Sequence, residues 1–461
     1  MQRMWPGSGS NCDYRGGGAG TGGASRARGP GSFGEFGPRK WQRTRSRVLL
    51  ESCQSRWFQA KIVVPVGSRT ARWMGLRLRG SEDGQNKNPK NGRLILAIGG
   101  ALVLERQRMA FSFLSNQAKK RDQIVAIDLG SRNTKAVHIK RTGDALSLTS
   151  YALLDAPVYD KNLTPQALGE HLKTVVDTLG SRTKHVCIVL GPNDAVLRNA
   201  ELPQIMVSDM RLMLKHNTKS YLQQDLPDHV FDCHILQAVE AAQAEAGKSA
   251  AKFKVLVGGA KRQYITDLQA AGKAAGLVVD YITTGLVAPA NAFELAMPEI
   301  YAKEVVALVD FGFKNSSISV LLSGELILSR VVSFGSAKLT SGIAESLGVS
   351  NSEAEGIKVG MPQEVEATIQ PLLTPLGREL RASIDFFEHQ HDKTVSQVFF
   401  SGGSSRNELI VNALQSELMV PCKSWNPTSF MTLALSPQQV GEVEQVAPQL
   451  TVAVGGAFAT M

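Results

Sequence analysis

One pattern of strand, turn and strand occurs twice in this 461-residue chain, with its aspartates 182 residues apart at positions 128 and 310. The first copy consists of the apolar residues 124–127, the turn 128–135 and the alternating residues 136–139. The second copy, residues 306–321, has the same order, and five positions agree in register: an Asp, a Gly, a basic residue, an Asn and a hydroxyl. A repeat of this length indicates a fold built from two similar lobes.

The turn in each copy suits a phosphate group. A glycine after a strand lets the backbone adopt a positive φ and directs successive N–H groups towards a small concavity. The Asp at the end of the strand can hold Mg²⁺ through water, since Mg²⁺ keeps most of its hydration shell. One copy alone would be an ordinary hairpin with Asp and Gly in its turn. Two copies in register favour a pair of hairpins that bind a polyphosphate from both sides.

Two further segments follow the second hairpin. Residues 398–405 form an apolar strand pattern that breaks at Gly402 and Gly403. Paired glycines permit a flat ring or a phosphate to approach the backbone, and the alternative is a plain strand-to-helix turn. Upstream, Glu355 and Lys358 share one face of a predicted helix, and the alternative for them is a solvent-exposed ion pair worth about 0.2–0.5 kcal/mol.

In order along the chain, these segments read DxGSxxxK, DxGxxxSS, LTxxIAxxLGxxxxEAExxK and FFSGGSS. The ordered set resembles the actin-like ATPase superfamily and, within it, the PilM family of type IV pilus assembly. The resemblance covers residues 109–461. It implies an α/β fold, namely the actin-like (ribonuclease-H-like) two-lobed fold with duplicated lobes and a 1C-type inserted subdomain, and it implies ATP and Mg²⁺ as cofactors.

The resemblance also assigns residues of this chain to parts of the nucleotide. Asp128 and Asp310 lie on the Mg²⁺ side, hold the ion through water, and are the candidate catalytic residues. Glu355 and Lys358 lie near the ribose and the adenine. The residues of the two turns contact the phosphates: Gly130, Ser131, Asn133, Thr134, Lys135, Gly312, Asn315 and Ser316. Three further residues lie beneath the nucleotide: Gly402, Gly403 and Ser404.

The segment before the second hairpin bears on whether this chain hydrolyses the nucleotide. In actin-like ATPases this hinge segment commonly supplies an acidic or Gln side chain that positions the attacking water, as phosphoryl transfer requires. Here residues 283–293 contain no Asp, Glu or Gln. We therefore predict ATP binding with weak or absent ATPase activity, and the alternative is that Asp128 or Asp310 orients the water unaided.

An extra unit separates the predicted strands 186–190 and 253–257. In the family this position holds the small subdomain called 1C. The resemblance implies that the groove between it and the first lobe binds the cytoplasmic tail of a PilN-like inner-membrane protein, and an extended segment with a few apolar anchors would fit such a groove. The alternative is that the apolar side chains of this unit are core positions at helical spacing, namely Met206, Met210, Met213 and Leu214.

These segments together predict the organisation of the chain. We expect residues 1–108 to be a separate extension and the rest to alternate between two lobes: 109–190 as lobe 1 with the first phosphate loop, 191–255 as the inserted subdomain, 256–300 as lobe 1 and hinge, 301–345 as lobe 2A with the second phosphate loop, 346–395 as lobe 2B, 396–440 as lobe 2A with the adenosine motif, and 441–461 as a return to lobe 1.

Charge separates the first 108 residues from the rest. They hold 20 of the 51 basic and 6 of the 41 acidic side chains, which leaves residues 109–461 with 31 basic and 35 acidic ones. Because the basicity belongs to one end, we expect no nucleic-acid partner. For residues 1–108 we predict a disordered or spurious extension upstream of a true start at Met109, with a basic arm or a late signal peptide as alternatives.

Membrane and redox patterns favour a cytoplasmic location. The longest apolar run, residues 94–104, is shorter than the roughly 20 residues needed to span a bilayer. The five cysteines are scattered, without a CxxC pair, so neither a disulfide scaffold nor a zinc site is indicated. We therefore predict a cytoplasmic ATP-binding adaptor that is peripheral at the inner membrane through its partners.

Two other functions share the predicted fold. An FtsA-like division protein that forms polymers normally ends in a linker and an amphipathic membrane helix, whereas this chain ends after the apolar residues 452–459. A carbohydrate kinase would need a carboxylate base for its substrate, and the sequence has no extra acidic motif for one. Both are kept as alternatives to the adaptor, and self-association stays open.

Overall fold

The computed structural model describes part of the first hundred residues and nearly all of the remainder: 49–51, 57–62, 74–79, 97–98, 101–102, 109, 111–114, 120–157, 164–239 and 252–461. The chain divides into two units, Met1–Val103 and Leu104–Met461. In the first unit, β1 (Leu49–Glu51), β2 (Trp57–Ile62) and β3 (Met74–Arg79) form an antiparallel sheet, and β4 (Ala97–Ile98) pairs with β5 (Ala101–Leu102). Most of the predicted extension lies outside the described residues, so that prediction stays a prediction.

The second unit begins with a six-stranded sheet that forms the first lobe. Its order is β13-β9-β6-β7-β8-β19, and the strands are β6 (Gln123–Leu129), β7 (Asn133–Thr142), β8 (Ala145–Asp155), β9 (His185–Leu190), β13 (Val278–Thr284) and β19 (Thr432–Leu433). Successive residues of a strand face opposite sides of a sheet. Accordingly Val125 and Ile127 pack with helices α1 (Pro165–Thr178) and α4 (Arg262–Ala274), whereas Ile124 and Ala126 pack with α5 (Ala288–Ala296) and α12 (Thr451–Phe458).

A five-stranded sheet forms the second lobe. Its order is β16-β15-β14-β17-β18, and the strands are β14 (Val305–Phe311), β15 (Ser316–Leu322), β16 (Glu325–Val332), β17 (Gln397–Ser401) and β18 (Cys422–Ser424). Its helices are α7 (Ser336–Leu347), α8 (Asn351–Gly360), α9 (Glu366–His391) and α10 (Glu408–Leu418). The short helix α6 (Pro298–Lys303) leads from the first lobe to β14, and α11 (Pro437–Val446) lies between β19 and α12 of the first lobe.

The two sheets repeat one arrangement. β6 and β7 form an antiparallel hairpin in which Asp128 lies opposite Lys135, and β14 and β15 form another in which Asp310 lies opposite Ser317. A third antiparallel strand follows each hairpin, β8 or β16, and a parallel strand flanks each first strand, β9 or β17. The duplication predicted from the repeated motif is confirmed.

A three-stranded antiparallel sheet is inserted between β9 and α4. Its order is β10-β12-β11, with β10 (Ala195–Pro203), β11 (His229–Val239) and β12 (Lys252–Lys261), and helices α2 (Val207–His216) and α3 (Thr218–Leu222) pack on it. Met210 and Leu214 are fully buried in its core, as the alternative interpretation of the α2 pattern proposed, whereas Met206 is 69% exposed. Because β12 pairs with both neighbours, this sheet extends to Lys261, past the expected boundary at residue 255.

A short extended segment, residues 111–114, joins the inserted sheet to the first lobe. The Ser112 N–H donates to the Asp232 carboxylate of β11 at 2.7 Å, and the Phe113 N–H donates to the Ile282 carbonyl of β13 at 3.0 Å. Phe111 is fully buried against Gly258 of β12. Within the described ranges, no helix is both long enough and apolar enough to cross a membrane.

Candidate functional site

A cleft of about 870 Å³ lies between the two lobes, and both hairpin turns line it. This volume is within the range of small-molecule sites. The loop after β9, the end of α8 and the start of α10 complete its walls. Thirteen of the fifteen residues that the sequence assigns to a nucleotide line the cleft: Asp128, Gly130, Ser131, Asn133, Lys135, Asp310, Gly312, Asn315, Glu355, Lys358, Gly402, Gly403 and Ser404.

A buried ion pair occupies the base of the first hairpin. Asp128 ends β6 with 5% of its surface exposed, and Lys135 lies opposite it on β7, so the Lys135 Nζ is 3.0 Å from the Asp128 Oδ2. Burial lowers the pKa of Lys135, but the carboxylates of Asp128 and Asp310 raise it by more, and the net shift is upwards. Lys135 therefore remains a cation in the cleft at every physiological pH.

The glycine of each turn is needed for space and not for a positive φ. Gly130 and Gly312 are both absent from the positive-φ residues, so the sequence-based expectation of a left-handed glycine is wrong. A Cβ on Gly130 would lie 2.5 Å from the Asn133 carbonyl oxygen, and a Cβ on Gly312 would lie 2.5 Å from the Asn315 carbonyl oxygen. Both turns are so tight that their own backbone excludes a side chain, and the two copies share this property.

Thr134 and Ser316 do not line the cleft. Thr134 is 1% exposed, and its hydroxyl lies 2.8 Å from the His171 ring on α1. The buried Ser316 hydroxyl donates to the Phe334 carbonyl at 2.7 Å. Both side chains point to the rear of their strands because the residues alternate with cleft-facing neighbours. Their hydroxyls fix the hairpins in place, and the phosphate contacts expected of them are not supported by this geometry.

The second hairpin is tied to the paired glycines. Asp310 accepts a hydrogen bond from the Ser401 hydroxyl at 2.9 Å, and β17 carries Ser401 directly before Gly402. Burial raises the pKa of the Asp310 carboxyl, and Lys135 opposes that rise. Gly402 has φ +91, and a Cβ there would collide with the Phe311 backbone. The close approach at the paired glycines is therefore one of backbone on backbone at Gly402. Gly403 lines the cleft, and a Cβ there would be in ordinary contact with the Gln449 side chain at 3.8 Å.

A hydrogen-bonded triad joins α7 and α8. The Lys358 Nζ lies 2.6 Å from the Glu355 Oε2 and 2.8 Å from the Thr340 hydroxyl, which itself donates to Glu355. Lys358 is 4% exposed, so the alternative of a solvent-exposed pair is wrong. Burial lowers the pKa of Lys358, with Glu355 opposing it. Burial acts to raise the pKa of Glu355, but its bonds to Lys358 and Thr340 outweigh this and the net shift is downwards.

Asp194 and Arg132 are among the cleft residues to which the sequence analysis gave no role. Asp194 belongs to the loop 191–194 after β9 and lines the cleft with an exposed side chain. Partial desolvation raises the pKa of its carboxyl group, while Lys261 opposes the rise. Arg132 lies in the first turn and reaches across to Glu355. The signal for Asp194 was the Gly-Pro-Asn-Asp sequence after a strand parallel to β6, because parallel strands end at the same edge.

The fold and the motifs agree with known proteins. Residues 126–461 match the family model described as type IV pilus assembly protein PilM. The structure of a PilM-PilN type IV pilus biogenesis complex is 20% identical, covers 74% of this chain and 98% of that chain, and superposes with a TM-score of 0.62. EutJ from Carboxydothermus hydrogenoformans is 15% identical over 74% and 91% of the two chains, with a TM-score of 0.44.

MreB5 of Spiroplasma citri, solved with AMPPNP, is 10% identical over 73% and 95% of the two chains, with a TM-score of 0.41. The predicted actin-like α/β fold, with duplicated lobes and an inserted subdomain, is confirmed. The family match extends from the first hairpin to the final helix and includes every residue of the cleft described above. The chain therefore belongs to the PilM family.

Proposed function

We propose that this chain is a cytoplasmic, ATP-binding adaptor of type IV pilus assembly or a related secretion machine, and that it binds the cytoplasmic tail of a PilN-like inner-membrane protein. The main support for nucleotide binding is the pair of matching hairpin turns on opposite walls of one cleft of about 870 Å³. The family match and the likeness to a PilM-PilN complex support the adaptor half.

The phosphates bind between the two turns. Tight turns expose backbone N–H groups, and such groups together with a cation hold phosphate oxygens. In the first turn the Lys135 ammonium supplies the cation, and Ser131 and Asn133 add side-chain donors at the cleft surface. In the second turn Gly312 and Asn315 face the same space. A triphosphate that enters there meets donors from both lobes and holds them in one relative position.

Magnesium fits this site only together with the nucleotide. No cluster of three or more His, Cys, Asp or Glu side chains is present in the described part of the chain, so the protein alone does not supply a complete ion site. Asp128 and Asp310 face the cleft, and Mg²⁺ in nucleotide sites is commonly held by one or two carboxylates, phosphate oxygens and water. When bound, the ion would neutralise phosphate charge, and both aspartates would hold it through its water shell.

The adenosine half of the nucleotide binds beside α8. Glu355 is ionised there and accepts hydrogen bonds, which suits the ribose hydroxyl groups. Val359 lines the cleft with 72% of its surface exposed, and an exposed apolar side chain at that place gives a flat base a surface to cover. Gly403 also lines the cleft and brings no side chain of its own there.

Hydrolysis is slow in this proposal, and the nucleotide acts as a ligand that sets the conformational state. Residues 283–293 bring no acidic side chain to the cleft, Asp128 is paired with Lys135, and Asp310 accepts from Ser401. Asp194 and Glu408 are the other carboxyl groups of the cleft that remain to position a water molecule.

The partner's tail binds in the groove between the first lobe and the inserted sheet. The support is that an extended segment of this chain, residues 111–114, already binds between them through backbone donors to Asp232 and Ile282. Gly258 provides a side-chain-free surface on β12 that accepts Phe111. A second extended segment with apolar anchors would use the same kinds of contact.

Calorimetry of ATP with Mg²⁺ on the full chain tests the nucleotide site. We expect Asp128→Asn to weaken binding at least tenfold in the presence of Mg²⁺ and much less in EDTA, because the lost carboxylate acts on the ion. Asp310→Asn should behave alike. The matched control is Asp177→Asn on α1, an exposed aspartate outside the cleft, which should bind ATP as the wild type does. Absence of binding to the wild type, or unchanged affinity in both cleft variants, would overturn the proposal.

A further inference from the structure

The basic residue that recurs in register in the two turns has different surroundings in each copy. It is Arg132 in the first turn and Lys314 in the second, and both line the cleft. Arg132 leaves the first lobe and contacts the second: its Nη1 lies 3.1 Å from the Glu355 Oε1, and its guanidinium lies 5.2 Å from the centre of the Phe313 ring. Among the ion pairs of the described residues, this one joins the two walls of the cleft.

Of the three cleft cations that form ion pairs, Arg132 is also the one that can most easily change partner. The side chains of Lys135 and Lys358 are 22% and 5% exposed and belong to fixed pairs within their own lobes. The side chain of Arg132 is 44% exposed at the cleft surface. An ion pair with that exposure contributes little to stability, so a competing anion of higher charge can replace the carboxylate.

Release of Arg132 leaves no buried charge without a partner. Glu355 keeps its contacts with Lys358 and the Thr340 hydroxyl through Oε2, while Arg132 contacts the other oxygen, Oε1. The Phe313 ring belongs to the second turn, so a guanidinium that lies over it is already beside the expected phosphate position. Arginine binds phosphate through two parallel N–H donors, which a single carboxylate oxygen does not match.

We propose that Arg132 is a phosphate-triggered latch, which holds the walls of the nucleotide-free cleft together through Glu355 and Phe313 and then transfers to the terminal phosphates of the nucleotide. The transfer frees the Glu355 Oε1 for the ribose hydroxyls. Arg132 thereby makes the site prefer nucleotides with a terminal phosphate over a nucleoside monophosphate. The transfer rests on the proposed nucleotide function, whereas the latch in the nucleotide-free protein does not.

Two measurements on the full chain test the latch. The first is the distance between spin labels, attached through an unnatural amino acid at exposed positions Glu170 of α1 and Gln370 of α9, without nucleotide. The second is the ratio of affinities for ATP and AMP from calorimetry. We expect Arg132→Ala and Arg132→Gln to broaden and lengthen the distance distribution and to lower the ATP/AMP ratio about tenfold, with AMP affinity nearly unchanged.

The control variant is Arg330→Ala. It removes an ion pair with Glu379 of similar exposure, 47% and 50%, that lies within the second lobe. Wild-type distances and ratios are expected for it. A nucleotide-free distance in Arg132→Ala equal to that of the wild type would refute the latch, and an unchanged ATP/AMP ratio would refute the transfer. If the wild type binds no nucleotide, the proposed function and the transfer fail together, while the distance comparison still decides the latch.

Discussion

Glycines mark the positions at which backbones of this protein approach most closely. A Cβ on Gly455 of α12 would collide with the Ala288 carbonyl of α5, so the two helices are in backbone contact. Gly441 of α11 has nothing within 4 Å of its Cβ position and no positive φ. The same residue type is therefore required at one site and dispensable at the other, a difference that the sequence does not reveal.

This difference gives a paired prediction for stability. Gly455→Ala should destabilise the chain by about 2–4 kcal/mol because the helices must separate in a filled core. Gly441→Ala should stabilise it by about 0.5–1 kcal/mol because alanine is the better helix former at an open position. Urea unfolding followed by far-UV circular dichroism measures both. Equal midpoints for the two variants would contradict the close packing of α5 and α12.

At the scale of elements, the strands of the repeated hairpins could be predicted together with their register. The apolar runs end at Asp128 and Asp310, and the structure pairs these with Lys135 and Ser317 across each hairpin, as the turn spacing requires. The partner sheet of β12 could not be predicted, because its apolar run fits either the first lobe or the insertion. β12 pairs with β10 and β11, which are distant in the sequence, and the local pattern of apolar residues does not determine such a pairing.

For the candidate site too, some residues could be predicted from the sequence and others could not. Residues on the turns could be found from spacing, whereas the rearward directions of Thr134 and Ser316 depend on the pleat of β7 and β15. The burial of Lys358 was missed because α7 supplies Thr340 and covers it, and this contact joins residues 18 positions apart. Asp194 and Arg132 were missed because their roles depend on the approach of separate chain segments.

Helix α8 offers a test of how an element supports the site. Ser350 and Glu353 form a capping box at its start, with reciprocal side-chain-to-backbone bonds, and Glu355 and Lys358 follow in the next turn. Ser350→Ala should cost about 1 kcal/mol of helix stability, speed amide exchange in residues 351–358, and weaken ATP binding several-fold. The control is Ser436→Ala, which removes a serine N-cap, without a reciprocal Glu, from α11 away from the cleft. Equal ATP affinities for the two variants would count against a role of α8 in binding.

At the scale of the whole second unit, the inserted sheet contacts both lobes. Residues 111–114 tie it to the first lobe, and the Asn199 side-chain amide of β10 donates to the Ile327 carbonyl of β16 at 2.6 Å. A change in the distance between the lobes must therefore move the inserted sheet or break this bond. The proposed partner groove and the nucleotide cleft are thus mechanically connected, and any coupling between two binding sites is reciprocal.

We expect nucleotide to change the affinity for the partner's tail several-fold, and Asn199→Ala to bring that factor close to one. The reason is that the substitution frees the inserted sheet from the second lobe while it leaves both sites intact. Fluorescence anisotropy of a labelled synthetic tail, measured with and without ATP, gives the factor. Gln204→Ala, which removes a side-chain bond within the inserted sheet itself, is the control and should keep the wild-type factor. Full coupling in Asn199→Ala would exclude this contact as the link.

The position of α12 in the chain has a consequence for synthesis on the ribosome. The first lobe begins at β6, yet α12 covers one face of its sheet, more than 300 residues later in the chain. The core that α7, α9 and α10 form on one face of the second-lobe sheet draws on residues 305–422 alone. Domains fold during translation as soon as their parts have emerged. The first lobe is translated first, but its sheet is covered only after α12 has been made. The second lobe is translated later, yet all residues of this core have emerged before α12.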